Sequence, residues 1–146
     1  MKKFITICTA ASLFLLGGCS KAPKPEEFAK DVVMLAQDMP TLTESEDAVT
    51  DYEAWLKEAV EKFKEQCSET GTTRLETDAF PALNVIMAEH EMPAEITNTK
   101  VEEKAGNSYY ITFTLKDKNA AEFEVKLRMQ YTDKKVSFIN VITGSN

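Results

Sequence analysis

The sequence predicts an α+β fold in which three N-terminal helices pack on one face of a four-stranded antiparallel β-meander. Apolar residues recur at helical spacing as far as Pro93, and beyond it they alternate with polar residues. The helical segments all precede the strand segments, which is typical of an α+β domain rather than of a parallel α/β sheet. The length of 146 residues suits one domain preceded by a short leader.

The N-terminal segment has the pattern of an export signal. Lys2 and Lys3 precede an apolar run that ends in Leu16-Gly17-Gly18-Cys19. The run is shorter than the ~20 apolar residues that a membrane span needs. The motif resembles the lipobox of bacterial lipoproteins, which implies cleavage between Gly18 and Cys19 and acylation of Cys19.

The lipoprotein resemblance also implies a location and a lipid partner. Several acyl chains on one cysteine anchor a protein durably in a bilayer. Ser20, rather than Asp, follows the cysteine, and in enterobacterial lipoproteins this implies an outer-membrane protein that faces the periplasm. In a host with a single membrane, the domain would lie on the outer face of the cell membrane. The tether from Ser20 to Pro25 reaches about 20 Å, so the domain works close to the bilayer.

The predicted mature chain is strongly acidic. We assign residues 1–18 to the cleaved signal, 19–25 to the lipidated cysteine and tether, and 26–146 to one α+β domain. Loss of Lys2 and Lys3 leaves 15 basic against 24 acidic residues, a balance of −9. Such a charge repels phosphate backbones, which argues against nucleic acid and favours a basic periplasmic protein as partner.

Two long helices come first. Pro25–Met39 begins with a proline suited to the first turn and is stopped by Pro40. The second helix starts within 41–47 and runs to about Glu69, with Gly71 ending it. Their predicted core residues are Phe28, Val32, Leu35, Ala36, Met39, Tyr52, Trp55, Leu56, Ala59, Val60, Phe63 and Cys67.

The entrance to the second helix is rich in acids. Thr41–Asp47 holds two overlapping cap-like patterns, and acids favour the positive end of a helix. The segment lacks the glycine and the alternating ligands of a calcium loop, so we predict no metal there. Thr50 with Glu53 is a further cap-like pair, which leaves open a break near Val49.

A third helix is predicted from Thr77 or Asp78 to just before Pro93, with Phe80, Leu83, Ile86 and Met87 facing inward. His90, the one histidine, continues that face between two glutamates. Its functional interpretation is a general base or metal ligand, but a lone histidine at a helix end is more often structural. We keep His90 as a candidate and predict no metal site.

Cys67 is the only cysteine left for the folded domain, because Cys8 leaves with the signal and Cys19 takes the lipid. A redox centre or an intermolecular link is one interpretation. No second thiol lies nearby as a redox pair would require. Four residues after Phe63 on a helix face, Cys67 is better explained as a small buried residue.

Two strands dominate the C-terminal half. Tyr109–Leu115 and Phe123–Tyr131 alternate apolar and polar residues. A three-residue loop, Asp117-Lys118-Asn119 with Asn119 left-handed, would pair Leu115 with Ala121 and Phe113 with Phe123. The charged segment Ile96–Lys104 is predicted as a protected edge strand.

The last strand, Val136–Thr143, is apolar on both sides. A turn at Asp133-Lys134 would direct Val136, Phe138 and Ile142 to the core and expose Ile139 and Val141. That exposed pair is our candidate partner surface. A one-residue register shift, or coverage by the tether, is the alternative.

The sequence shows no motif for catalysis or for a cofactor: it lacks a glycine-rich phosphate loop, HExxH, Gly-x-Ser-x-Gly and paired cysteines. A pair of catalytic carboxylates stays open, because distances in space are not readable from spacing. We predict a non-catalytic protein-binding module of the envelope accessory, inhibitor or immunity type. The alternatives are an enzyme using His90 and a carrier of a small apolar ligand, with a cavity between helices and sheet. The residues expected to line that cavity are Trp55, Phe63, Phe113 and Phe123.

The order of the elements is similar to that of several small envelope lipoproteins, including the outer-membrane assembly component of the BamE type, and to the cystatin and NTF2-like folds. The Gly-Met-Thr and Leu-Gly-x-Pro signatures expected of the BamE group are absent from this chain. The resemblance therefore implies an architecture and carries over no functional residue.

Overall fold

The computed structural model describes residues 22–143, which form helices followed by an antiparallel sheet. The α+β class and the four-stranded meander, in the order β1-β2-β3-β4, are confirmed. The helices are α1 Pro25–Ala36, α2 Glu46–Phe63, α3 Glu69–Arg74 and α4 Phe80–Ala88, with a π-helical segment at Leu75–Ala79. The strands are β1 Glu95–Lys104, β2 Ser108–Lys116, β3 Glu122–Thr132 and β4 Lys135–Ile142.

The second and third predicted helices are divided differently in the structure. Gly71 does not end a helix: α3 starts at Ser68, whose Oγ accepts the Gly71 N–H at 3.1 Å. The chain then stays helical through the π segment into α4, and Phe80 N–H donates to the carbonyl of Leu75. Pro81 lacks an N–H and crowds the carbonyl four residues earlier. The wider π turn just before Pro81 accommodates that crowding.

The hairpin between β2 and β3 has a longer turn than predicted. Leu115 pairs with Phe123, and Phe113 pairs with Val125, so the predicted register is wrong by two residues. Ala120, rather than Asn119, takes the left-handed conformation, with φ at 66°. Because side chains alternate with a period of two, the shift leaves every apolar residue on the predicted face.

A β-bulge in the last strand reverses the predicted orientation of its side chains. The turn at Asp133-Lys134 forms as predicted, with positive φ at both residues. Tyr131 pairs with Val136 but Gln130 pairs with Phe138, which leaves Ser137 as an extra residue.

The bulge turns Ile139 and Val141 into the core, where they are 0% and 7% exposed. Phe138 and Ile142 are turned outward instead. The prediction that Ile139 and Val141 form an exposed partner surface is therefore wrong, and the register shift held open as the alternative is what the structure shows.

The segment after α2 closes the β4 edge of the sheet. Cys67 forms a bridge with Val136: Val136 N–H donates to Gln66 O and Ser68 N–H donates to Val136 O, both at 2.9 Å. Cys67 thus lies beyond the end of α2 rather than on its face. A Cβ placed on Gly71 would lie 1.9 Å from the Val136 carbonyl oxygen. Only a glycine lets α3 approach the strand this closely.

The core lies between the sheet and the helices. Its largest buried members include Phe28, Phe80, Leu83, Phe113 and Leu127. α2 packs on the other helices through aromatic pairs. Phe63 meets Phe28 and Trp55 meets Phe80, each at 5.2 Å between ring centroids. One side of α2 is thereby left facing outward.

Candidate binding groove on the second helix

An open groove of about 850 Å³ runs along the outward side of α2. Its floor is an apolar stripe made by Val49, Leu56 and Val60, which fall on one side of the helix. Val49 is 38% exposed, although it is large and apolar. The other lining residues are Leu42, Thr43, Tyr52, Glu53, Lys57, Glu61 and Glu76.

Residues at both ends of α2, the helix under the groove, stabilise its helical conformation. Ser45 caps it by accepting the Ala48 N–H on its Oγ at 3.2 Å. Glu46 and Asp47 lie in the first turn and Lys62 in the last, which complements the helix dipole at both ends. The helix is unbroken at Val49, so the apolar stripe is continuous from that residue to Val60.

One wall of the groove is the loop before α2, and a buried asparagine fixes it. Asn84 of α4 is 8% exposed. Its Nδ2 donates to Pro40 O at 2.9 Å, and its Oδ1 accepts the Leu42 N–H at 3.4 Å. Because both hydrogen bonds are shielded from water, they hold the loop firmly and keep Leu42 beside the groove.

The rim of the groove is acidic. Glu53, Glu61 and Glu76 line it against a single base, Lys57. The surrounding helical region has the same sign, with 17 acidic and 6 basic residues in 22–93. An apolar floor with an acidic rim suits an apolar segment that carries positive charge at its flanks.

A polar group without a partner lies at the groove. Tyr52 is 7% exposed, and its hydroxyl oxygen finds no hydrogen-bond partner among the described residues. Burial raises the pKa of Tyr52, so the group stays protonated at neutral pH and remains a donor. A buried hydroxyl without a partner costs about 1–3 kcal/mol.

The outer face of the sheet offers less apolar surface than was predicted. Phe138 replaces the expected pair there, and its ring lies 5.2 Å from the Arg74 guanidinium and 5.3 Å from that of Arg128. Tyr110 on the same face is approached by Lys104 and Lys126. These rings already have cationic neighbours, whereas the α2 stripe is partly exposed, most of all at Val49.

The structure gives His90 a structural role. Its ring stacks on Phe123 with centroids 3.8 Å apart, and its Nδ1 lies 3.3 Å from Asp117 Oδ2. Asp117 in turn accepts the N–H groups of Asn119 and Ala121 and so shapes the β2–β3 turn. Burial alone would raise the pKa of Asp117, but these backbone N–H groups and the His90 ring outweigh burial and lower the pKa.

Cys67 is buried at 3% exposure and forms no disulfide within residues 22–143. Burial raises the pKa of its thiol to about 12, against a smaller opposing effect of Lys135. A thiol with so little thiolate at neutral pH is a poor nucleophile. This agrees with the interpretation of Cys67 as a small buried residue.

The predicted cavity between helices and sheet is filled at the residues expected to line it. Phe63 and Phe113 are 5% and 0% exposed and belong to the core. Phe123 is covered by His90, and Trp55 packs on Phe80. A second cavity, of about 230 Å³, lies beside His90 and is more polar than apolar in its lining. None of the four aromatic residues lines either cavity.

The remaining predictions concern the lipidation site, metal binding and membrane-spanning helices. Gly18 and Cys19, the predicted cleavage and lipidation positions, fall outside the described residues. Within 22–143, no three histidine, cysteine, aspartate or glutamate side chains gather as a metal site would require. In the same range, no helix combines the length and the apolar character of a membrane span.

Comparison of the chain with protein-family models, with curated proteins and with solved structures found no match.

Of the groove residues, Tyr52, Leu56 and Val60 were predicted as core residues, and the exposed Val49 and Leu42 were not singled out. The predicted apolar stripe of α2 included Trp55, which packs on Phe80, and Leu56 with Val60, which are half-buried and both contact the core and line the groove. At 100° per residue, that stripe is wider than one packed face of a helix. Its width, with Glu53 and Glu61 beside it, was the signal for a second, exposed apolar face.

Proposed function

We propose that this chain is a lipid-anchored envelope protein that binds, without catalysis, a basic amphipathic segment of a periplasmic protein in the α2 groove. The observation that carries the proposal is the partly exposed apolar stripe of α2 with its acidic rim. The lipobox resemblance at Cys19 supports the anchoring. The N-terminal helices and the sheet then form a scaffold that presents this groove.

The dimensions of the groove suit a short helix. Val49 and Val60 are eleven residues apart on α2, which corresponds to about 17 Å at 1.5 Å per residue. A partner helix of about three turns would cover that length with apolar residues at i, i+3 or i+4, and i+7. Lysine or arginine beside those anchors would face Glu53, Glu61 and Glu76.

A synthetic peptide provides a defined test of the proposal. The probe is an amidated helix of leucine and lysine, with leucine on one face, added to the full chain. Trp55, the only tryptophan, stacks on Tyr52 with centroids 6.5 Å apart and reports on the groove by fluorescence. We expect saturable binding that weakens as salt is raised, because the rim charges are screened.

Two matched substitutions locate the binding. Val49→Asp places a charge in the groove, whereas Val85→Asp makes the same change on α4, where Val85 is 65% exposed and outside the groove. We expect Val49→Asp to weaken peptide binding by roughly tenfold or more, as for truncation of an interface anchor. Equal effects of the two substitutions, or no saturable binding, would exclude the groove as the site.

The second candidate is a carrier of a small apolar ligand. It is favoured by the volume of the groove, about 850 Å³, which lies within the ~300–1,000 Å³ of small-molecule pockets. Titration with a fluorescent fatty acid separates the two functions. Saturation by the fatty acid with one-to-one stoichiometry, together with failure of the peptide to bind, would support the carrier.

A further inference from the structure

Two tight hairpin turns and the N-terminal start of the domain lie at the same end of the sheet. The β1–β2 turn at 105–107 and the β3–β4 turn at 133–134 lie at the same end of the meander. They are tied together, since Tyr131 N–H donates to Asn107 O at 3.1 Å. We call this the hairpin end; the β2–β3 turn at 117–121 marks the opposite end.

The N-terminal tether is fastened to the hairpin end. The hydroxyl of Tyr131, in β3, donates to the carbonyl oxygen of Pro23 at 2.7 Å. Tyr131 is 9% exposed, so this hydrogen bond is shielded from water. α1 begins two residues later, at Pro25, and continues toward the opposite end, where Gln37 hydrogen-bonds to both backbone groups of Ala94.

The hydrogen bond between Tyr131 and Pro23 limits the distance that can separate Cys19 from the hairpin end. Cys19 and Pro23 are four residues apart, so even a fully extended chain places them at most about 14 Å apart. The opposite end is separated from the hairpin end by the nine residues of β2, about 30 Å along the sheet. A lipid on Cys19 therefore excludes an orientation in which the domain stands upright with only its opposite end at the bilayer, because that would hold Pro23 about 30 Å from the membrane.

We infer that the hairpin end is the membrane-facing end of the domain, in contact with the phospholipid headgroups. The inference rests on the proposed anchoring at Cys19. The distribution of charge is consistent with it. The lysines of the hairpin end offer favourable contacts to anionic headgroups. The lysines of the hairpin end are Lys24, Lys104, Lys134 and Lys135.

Site-directed spin labels on the lipidated full chain in liposomes test this orientation. Ala105→Cys and Asn119→Cys place one thiol at each end, both at exposed turn positions without positive φ. Cys67 is buried, and burial raises the pKa of its thiol to about 12, so it does not compete for the label. The liposomes contain phosphatidylglycerol and a lipid whose headgroup chelates Ni²⁺, a paramagnet that relaxes nearby spin labels.

We expect Ni²⁺ at the headgroups to relax the label at position 105 several-fold more than the label at position 119. Tyr131→Phe removes the hydroxyl that holds Pro23, and in that background we expect the difference to shrink while the melting curve stays cooperative. If the chain does not partition into the liposomes at all, the anchoring proposal and this inference both fail. If the chain is anchored but the two labels relax equally, or position 119 relaxes more, only the orientation is overturned.

Discussion

The helical region and the sheet region of this chain differ in charge and in how completely their apolar surfaces are covered. Residues 22–93 hold 17 acids and 6 bases, a balance of −11, whereas residues 94–143 hold 7 acids and 8 bases, a balance of +1. The sheet buries its inner face, and cations cover the aromatic rings of its outer face. The helical layer leaves an apolar stripe open on α2. The helices and the sheet thus share one core, and the most exposed apolar surface of the two regions lies on the helical side.

The largest expected effect is in the sheet. Phe113→Ala empties a fully buried position at its centre, and we expect a loss of about 3–5 kcal/mol in the free energy of unfolding. Val49→Ala in the groove removes exposed methyl groups, and we expect a change within about 0.5 kcal/mol. Urea denaturation of both variants measures the contrast. A comparable cost at the two positions would mean that the stripe is part of the core.

The second-largest loss of stability is expected where α3 of the helical region meets β4 of the sheet region. Gly71→Ala drives a Cβ into the Val136 carbonyl at 1.9 Å, and since only backbone can move there, we expect a loss of about 3 kcal/mol. The control is Gly106→Ala, which meets no atom within 4 Å but has φ at +75°, so its cost is about 1 kcal/mol from the left-handed conformation. Thermal melting of the two variants ranks them. The reverse ranking would contradict the close approach of α3 to β4.

A smaller effect is expected where α4 meets the β2–β3 turn. His90→Ala removes the stacking on Phe123 and the hydrogen bond to Asp117, and we expect a loss of about 1–2 kcal/mol. Peptide binding should be unchanged, because His90 does not line the groove. A loss of binding with unchanged stability would instead restore the functional interpretation of His90.

The free energy of unfolding at acid pH should depend on the charge of Asp117. Its pKa is lowered in the folded chain, so its contribution is present above its unfolded pKa of about 3.9 and is lost as the pH falls through the folded value. Asp117→Asn should therefore be less stable than the parent chain at neutral pH, and the difference should vanish in strong acid. Denaturant midpoints at several pH values measure this, and a difference independent of pH would contradict it.

The smallest effect on stability, of opposite sign, is expected at Tyr52. Tyr52→Phe removes a buried hydroxyl that has no partner, so the free protein should gain up to about 1 kcal/mol. If the hydroxyl binds the partner, the same variant should bind the leucine–lysine peptide more weakly. Greater stability with unchanged binding would show that the hydroxyl plays no part in the groove.

Periodicity predicted the fold class and the faces of β2 and β3, because errors of two residues leave the faces unchanged. Periodicity could not show the bulge at Ser137, because the bulge depends on how β4 pairs with β3 and on the bridge between Val136 and Cys67. A single extra residue reversed Ile139 and Val141. It also could not show that α3 and α4 join through a π segment, because glycine at 71 and proline at 81 are ordinary signals of helix ends.

The candidate site was only partly readable for a similar reason. The acidic helical surface and the apolar stripe of α2 were both visible, but which part of the stripe is covered depends on tertiary packing. Trp55 meets Phe80, and Phe63 meets Phe28, while Val49 and Leu42 stay 38% and 47% exposed. The hydrogen bond between Tyr131 and Pro23 joins residues that are 108 positions apart, so no local sequence pattern could predict it.

The most direct test of the central claim is photo-crosslinking in intact cells that produce the full chain, with a photoreactive amino acid at position 49 or at position 85. Both positions are exposed valines on helices, and only the first lies in the groove. We predict a discrete crosslinked protein from position 49, joined through a cationic amphipathic helix, and none from position 85. The same product from position 85, or no product from position 49, would contradict the proposal that α2 carries the binding surface.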